Sequence, residues 1–162
     1  MTQSRGPYVL SKNEGRSTWF LGTVMTVKAS GQETEQGLGL LEQTLPAGFA
    51  PPLHVHHSED EAFYVLEGQM KIVCGDVMLH AQSGAFILLP RGLAHGFRVE
   101  GDQPCRLLQL NWPAGLEHFF EEAGQPTTSL GTPPPMATEA DIQKMLSLVG
   151  KYNVDIVGPP LG

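Results

Sequence analysis

The stretch GFAPPLHVHHSEDEAFYVLEG, residues 48–68, sets the terms for the whole chain. A turn-rich lead at Pro51-Pro52 and a closing Gly68 predict a β-structure bounded by turns. Side chains two apart in a strand share a face. His54 and His56 therefore point inward together, while Val55 and His57 point outward. Glu61 has the opposite parity, so the chain must bend at residues 58–60 to bring it in, and Ser58-Glu59-Asp60 suits a bend. Beyond it Glu61, Phe63 and Val65 share the inner face, with Ala62, Tyr64 and Leu66 on the outer one. A second Gly/Pro-punctuated stretch, GAFILLPRGLAHGFRV at 84–99, puts His95, Phe97 and Val99 on one face. A third imidazole thus stands above an apolar wall.

Three imidazoles and a carboxylate converging inside a small β-structure need partners. Buried without them, each polar group costs roughly 1–3 kcal/mol, and a divalent cation removes that penalty. His54, His56, Glu61 and His95 are accordingly the expected metal ligands. Imidazole and carboxylate donors suit one divalent transition-metal ion (Mn, Fe, Co, Ni, Cu or Zn) rather than Ca. Four protein ligands leave room for a further ligand on a five- or six-coordinate ion, as catalysis requires. His57, His80 and His118 read as solvated or hydrogen-bonded side chains. Phe49, Phe63, Phe97 and Trp112 are candidates to line a pocket for a flat aromatic ligand. Phe97 leads them, being two residues from His95 on the inner face.

The 162 residues are most simply one domain with a real core. A net charge of −7 argues against nucleic acid or an anionic membrane as partner. No apolar run is long enough to span a bilayer, and the first residues lack the apolar core of a secretory leader. Cys74 and Cys105 are too few for a disulfide framework and read as reduced thiols. The cytoplasm is the expected location.

Charged residues are only 17 % of the chain, against 19 Gly and 13 Pro, which favours frequent reversal over long helices. Residues 17–29 (STWFLGTVMTVKA) read as one strand, SGQET as a turn, and 36–45 as a second strand. Further strands are expected at AFYVLEG, MKIVC, VMLHA, AFILL, AHGFRV and, last, CRLLQLNW, with Gly75-Asp76 turning a hairpin. About eight to ten short strands without helical crossovers predict a mostly β fold, an antiparallel sandwich or barrel. LEHFFEEA (116–123) then predicts a short helix ended by Gly124, and 125–137 a Pro/Thr loop. A second helix starts at Thr138, with Asp141 completing a capping box. Ile142, Met145, Leu146 and Val149 form the face that packs on the body. The expected organisation is an N-terminal arm (1–16), a β-barrel (17–112) and a C-terminal helical extension (113–162) packed on the same domain.

The two stretches resemble the paired motifs of the cupin superfamily. The first, G-x5-H-x-H-x3,4-E-x6-G, is met by Gly48, His54, His56, Glu61 and Gly68; the second, G-x5-P-x-G-x2-H-x3-N, by Gly84, Pro90, Gly92 and His95. Val99 stands where the family has Asn, which bears on local hydrogen bonding and not on the ligand set. The wording HHSEDEAFYVLEGQ and the tail with GLEHFFEE and KYNVDIVGPPLG further resemble bacterial single-domain quercetinase-like cupins. That resemblance implies a jelly-roll fold and a metal-dependent dioxygenase that cleaves a flavonol or related aromatic enol, with carbon monoxide released. It implies Glu61 as the acceptor of the substrate hydroxyl's proton, a base that works best with its pKa raised toward the operating pH. Phe49, Phe63 and Phe97 become substrate-binding candidates, a small aromatic molecule and dioxygen the partners, and a homodimer packed through residues 17–29 the assembly. Other cupin oxygenases or isomerases, and a binding module without turnover, share the motifs.

Overall fold

A computed structural model describes residues 6–162. The first five residues of the expected arm lie outside the described residues. Twelve strands occur among those described. The first six are β1 (Arg16–Phe20), β2 (Thr23–Ala29), β3 (Gly39–Leu45), β4 (Pro52–His56), β5 (Asp60–Glu67) and β6 (Gln69–Cys74). The others are β7 (Val77–Gln82), β8 (Phe86–Leu89), β9 (His95–Val99), β10 (Cys105–Trp112), β11 (Gln125–Thr127) and β12 (Val154–Pro160). They form a seven-stranded sheet, β11-β1-β2-β3-β10-β5-β8, and a five-stranded sheet, β12-β4-β9-β6-β7. Every pairing is antiparallel. The expected sandwich is thus the observed one.

Period-2 alternation explains most of the packing. In β10, Cys105, Leu107, Gln109 and Asn111 are buried and the residues between them only partly so. Leu41, Val65, Ile72 and Val99 meet them between the sheets. The outer faces are less open than alternation alone predicts, since Val55 and Ala62 are buried as well.

Four expectations need correction. Residues 17–29 are two strands, because Leu21 and Gly22 both take positive φ (46° and 79°) and turn a two-residue hairpin. Leucine is an uncommon residue in that conformation, so the turn carries none of the usual Asn-Gly or Asp-Gly signal. SGQET is not a simple turn but a one-turn helix, α1 (Gly31–Thr34), with Ser30 and Glu33 forming a capping box. The strand count rises because β11 and β12 lie in segments that lack alternation, and β10 is not the last strand. The helix α2 (Leu116–Ala123) matches its expected bounds, as does the capped start of α3 (Glu139–Leu148). On α3, however, Met145 alone is buried, while Ile142 and Leu146 remain 36 % and 39 % exposed.

What positions the site is the crossing between sheets. β4 belongs to the five-stranded sheet and β5 to the seven-stranded one, with the chain bending at His57 and Ser58 between them. The expected parity change at 58–60 is therefore a change of sheet. Phe119 and Phe120 of α2 pack edge-to-face on Phe20, at 5.7 and 5.1 Å between centroids, and cover one end of the sandwich. No helix among the described residues is long and apolar enough to cross a membrane.

Candidate metal centre

His54 lies opposite His95 in the β4–β9 pair, and His56 follows His54 on the same face. Their ring centroids stand 4.6 Å (54–95), 5.0 Å (54–56) and 5.2 Å (56–95) apart. Glu61 enters from the opposite sheet. One donor atom from each of the four side chains falls within 4.8 Å of all the others. His57, His80 and His118 are elsewhere, each beside a carboxylate: Asp155 at 2.9 Å, Glu100 at 3.1 Å and Glu121 at 3.1 Å.

The hydrogen bonds behind the rings decide which nitrogens face one another. His54 Nδ1 donates to the Pro52 carbonyl (2.7 Å), His56 Nδ1 to Glu59 Oε1 (2.6 Å) and His95 Nδ1 to the Leu93 carbonyl (3.2 Å). With Nδ1 holding a proton, each imidazole in its neutral form presents an Nε2 lone pair. His56 Nε2 is buried with no hydrogen-bond partner, and Glu61 Oε2 lies 3.7 Å from it and 3.0 Å from His95 Nε2. An orphaned buried lone pair among two others and a carboxylate oxygen is a donor set that a first-row divalent ion fits.

Electrostatics point the same way. Burial, and then the neighbouring His95 charge, push the His54 imidazole down to about 4, so it is neutral and able to donate at neutral pH. Burial alone would lower His56, but the Glu61 charge and the Glu59 hydrogen bond outweigh it and raise that group. Burial would likewise raise Glu61, yet the His56 charge, the hydrogen bond from His95 and the charges of His95 and His54 bring it down to about 2. The expected upward shift of Glu61 is thus reversed, because three imidazoles crowd its carboxylate.

Local backbone explains the second motif. Gly92, at φ 81°, donates its amide to the His56 carbonyl (2.8 Å) and so ties the loop before His95 to the ligand strand. Val99, standing where the family has Asn, makes the local bonds through its backbone. Its amide donates to the Phe49 carbonyl (2.9 Å) and its carbonyl accepts from Gly48 (3.2 Å). On the other side of β4, Val154 and Ile156 of β12 pair with His56 and His54. The C-terminal strand therefore covers the edge of the strand that carries two of the candidate ligands.

Beside the four groups lies a cavity of about 400 Å³. His54, His56 and Glu61 reach its wall, while His95 stands behind them at 1 % exposure. Phe49, Phe63 and Phe97 all line it, Phe97 lying between the other two at 6.2 and 5.4 Å. Trp112 does not; it sits at the end of β10 opposite Asp60. Phe119 and Phe120 of α2, with Ile142 and Met145 of α3, complete the apolar wall.

Two features escaped the sequence reading. Glu59, buried against His56, is a second carboxylate of the site; the acidic run S-E-D-E after the histidine pair was its signal. Gln109 Nε2 donates to Glu61 Oε1 (2.6 Å) and to Asn111 Oδ1 (2.7 Å), and Asn111 Nδ2 lies 3.4 Å from the same carboxylate oxygen. Alternation in LLQLNW put both amides on the inner face beside Leu107, and that pattern could have found them. Glu59→Ala is expected to weaken metal binding about 10–100-fold, whereas Glu59→Gln, whose carbonyl still accepts from Nδ1, retains most of it. Chelator competition measures both; unchanged affinity in Glu59→Ala would show that Glu59 does not support His56.

Residues 41–111 match the cupin domain family. Within it the sequence is quercetinase-like. It is 26 % identical over 144 residues to the quercetin 2,3-dioxygenase of Bacillus subtilis, a match covering 89 % of this chain and 42 % of that protein. An acireductone dioxygenase from Sulfurihydrogenibium is 29 % identical over 72 residues, covering 41 % of this chain and 40 % of that protein. The chain thus spans less than half the length of either relative. Among solved structures, one described as a predicted oxalate decarboxylase from Thermotoga maritima superposes with a TM-score of 0.60. It is 18 % identical, over 65 % of this chain and 99 % of the other, a likeness of fold.

Proposed function

We propose that the protein is a metal-dependent dioxygenase that cleaves a flavonol such as quercetin, or a related aromatic enol, with dioxygen. One observation carries this reading: a carboxylate with one oxygen held by amides and the other turned to three imidazoles borders an apolar, aromatic-walled cavity. Similarity to the Bacillus quercetin 2,3-dioxygenase supports it.

His54, His56, Glu61 and His95 would hold a divalent transition metal, which supplies Lewis acidity and access to dioxygen chemistry when bound. Phe97 and Phe63, edge-to-face, offer a wall against which a flat ring can lie. Apolar side chains on α2 and α3 exclude water from the reacting groups, which strengthens every charge interaction inside. Glu61 Oε2 takes the proton of the substrate's enolic hydroxyl, while Gln109 keeps Oε1 in place. The same reading takes the protein as a cytoplasmic homodimer. Free, buried Cys74 and Cys105 suit a reducing compartment. Exposed Tyr64, Phe86 and Leu88 on the outer face of β5 and β8 offer an apolar interface. Residues 17–29 suit that role less, since β1 is already paired on both sides, by β11 and β2.

The test is oxygen uptake with a panel of flavonols, using protein loaded in turn with Mn, Fe, Co, Ni, Cu and Zn. Uptake coupled to carbon monoxide release with at least one redox-active metal is the expected result. Silence across the panel would remove the flavonol. Uptake with a small enediol in its place would favour the class of the acireductone dioxygenase relative.

A further inference from the structure

We propose that Gln43 determines specificity in the cavity. Its side-chain carbonyl accepts a hydrogen bond from the ligand, so the site selects aromatic molecules carrying a second hydroxyl besides the one that reaches Glu61. This rests on the reading of the cavity as an aromatic-enol site.

The orientation of Gln43 follows from a chain of hydrogen bonds across three adjacent strands. β3, β10 and β5 lie side by side. Gln43 stands opposite Leu107, Gln109 opposite Phe63, and Asn111 opposite Glu61, so the polar side chains run diagonally over the inner face. A carboxylate oxygen only accepts. Gln109 must therefore turn its amide NH2 toward Glu61, and its two N–H groups go to Glu61 Oε1 and Asn111 Oδ1. The Gln109 carbonyl is left facing β3, where it accepts from the Gln43 NH2. Turning the Gln43 amide over would set two carbonyl oxygens against each other. Its carbonyl is thus the end turned away from Gln109, and no described residue donates to it.

Gln43 is only 2 % exposed, yet it lines the cavity. The Gln43 carbonyl is not sealed in the protein but open to the cavity, where a ligand hydroxyl can reach it and supply its hydrogen bond. Apart from Gln109, Glu61, His54 and His56 the wall is apolar, so a ligand lacking a donor there leaves the acceptor unpaired. Sites built around a buried hydrogen bond discriminate hydroxyls more sharply than apolar walls discriminate size.

The test measures equilibrium binding to zinc-loaded protein, which binds a phenol without oxidising it. The probes are 2,7-dihydroxynaphthalene and 7-methoxy-2-naphthol, which share one frame and differ in a capped donor. Kaempferol and 3-hydroxyflavone form a parallel pair. Wild-type protein is expected to prefer the dihydroxy probe by about fivefold or more, and Gln43→Met to bring the two affinities together. Equal affinities in the wild type overturn the proposal, and that comparison decides alone if the variant does not fold. A preference that survives Gln43→Met places the acceptor elsewhere and overturns it too. Discrimination between the naphthols without any binding of the flavonols sustains the role of Gln43 and removes the flavonol reading. No saturable binding of any probe overturns both.

Discussion

Protein in which His54 and His95 are both replaced by alanine is expected to fall from near-stoichiometric to near-zero transition metal after reconstitution. These two residues face each other across β4 and β9, and their ring centroids are the closest of the three pairs, at 4.6 Å. Removing them leaves His56 and Glu61, a donor pair with no enclosed geometry for a divalent ion. Metal analysis after dialysis measures the loss; retained metal would mean that the ion sits elsewhere. The same comparison has a thermal readout. A ligand that binds only the folded state adds about 4 kcal/mol at a thousandfold excess over Kd. For a domain of this size that is roughly 8–16 °C in Tm. The wild type should show a metal-induced rise of that order and the double variant almost none. Without metal the variant should not be less stable in proportion, because it also loses groups that were buried against one another.

Glu61→Gln is the second large effect. The new amide can still accept from Gln109 through its carbonyl, so the polar chain above it survives. Its NH2 would then point at His95 Nε2 and His56 Nε2, where Glu61 Oε2 now lies 3.0 and 3.7 Å away. The variant cannot take up a proton at that position. Oxygen consumption with a flavonol is expected to drop about 10²–10⁴-fold, the usual contribution of a general base. Metal content should fall much less, since three imidazoles remain. Activity equal to wild type at equal metal loading would remove the base role, and parallel loss of both would leave Glu61 a ligand alone.

How far the sequence went can be seen at individual residues. His54, His56 and His95 were legible because alternation is a local property: in any strand, side chains two apart share a face. The two C-terminal helices were legible for the same reason. Gly124 and the Thr138–Asp141 box act within one turn of their own chain. Leu21-Gly22 was not legible, because its positive φ at a leucine is imposed by pairing on either side and not by intrinsic preference. β12 was not legible either, since a Gly-Pro-Pro ending reads as loop until β4 offers it an edge. Glu59 and Gln43 carried only faint signals. Each owes its role to a partner brought near by folding: His56 by the turn after β4, and Gln109 by the β3–β10 pairing.

By itself the sequence determined the antiparallel β class, the identity of the four metal-ligating candidates and the aromatic character of the site. All three depend on residue type and spacing along one strand or one turn. Only the tertiary structure decided that Glu61 arrives from the opposite sheet, that Phe49, Phe63 and Phe97 border one cavity while Trp112 stays outside it, and that a row of amides ends at an unpaired carbonyl on its wall. Those relations join residues from different strands, and hydrogen-bond direction and burial are properties of the assembled sandwich that no single segment carries.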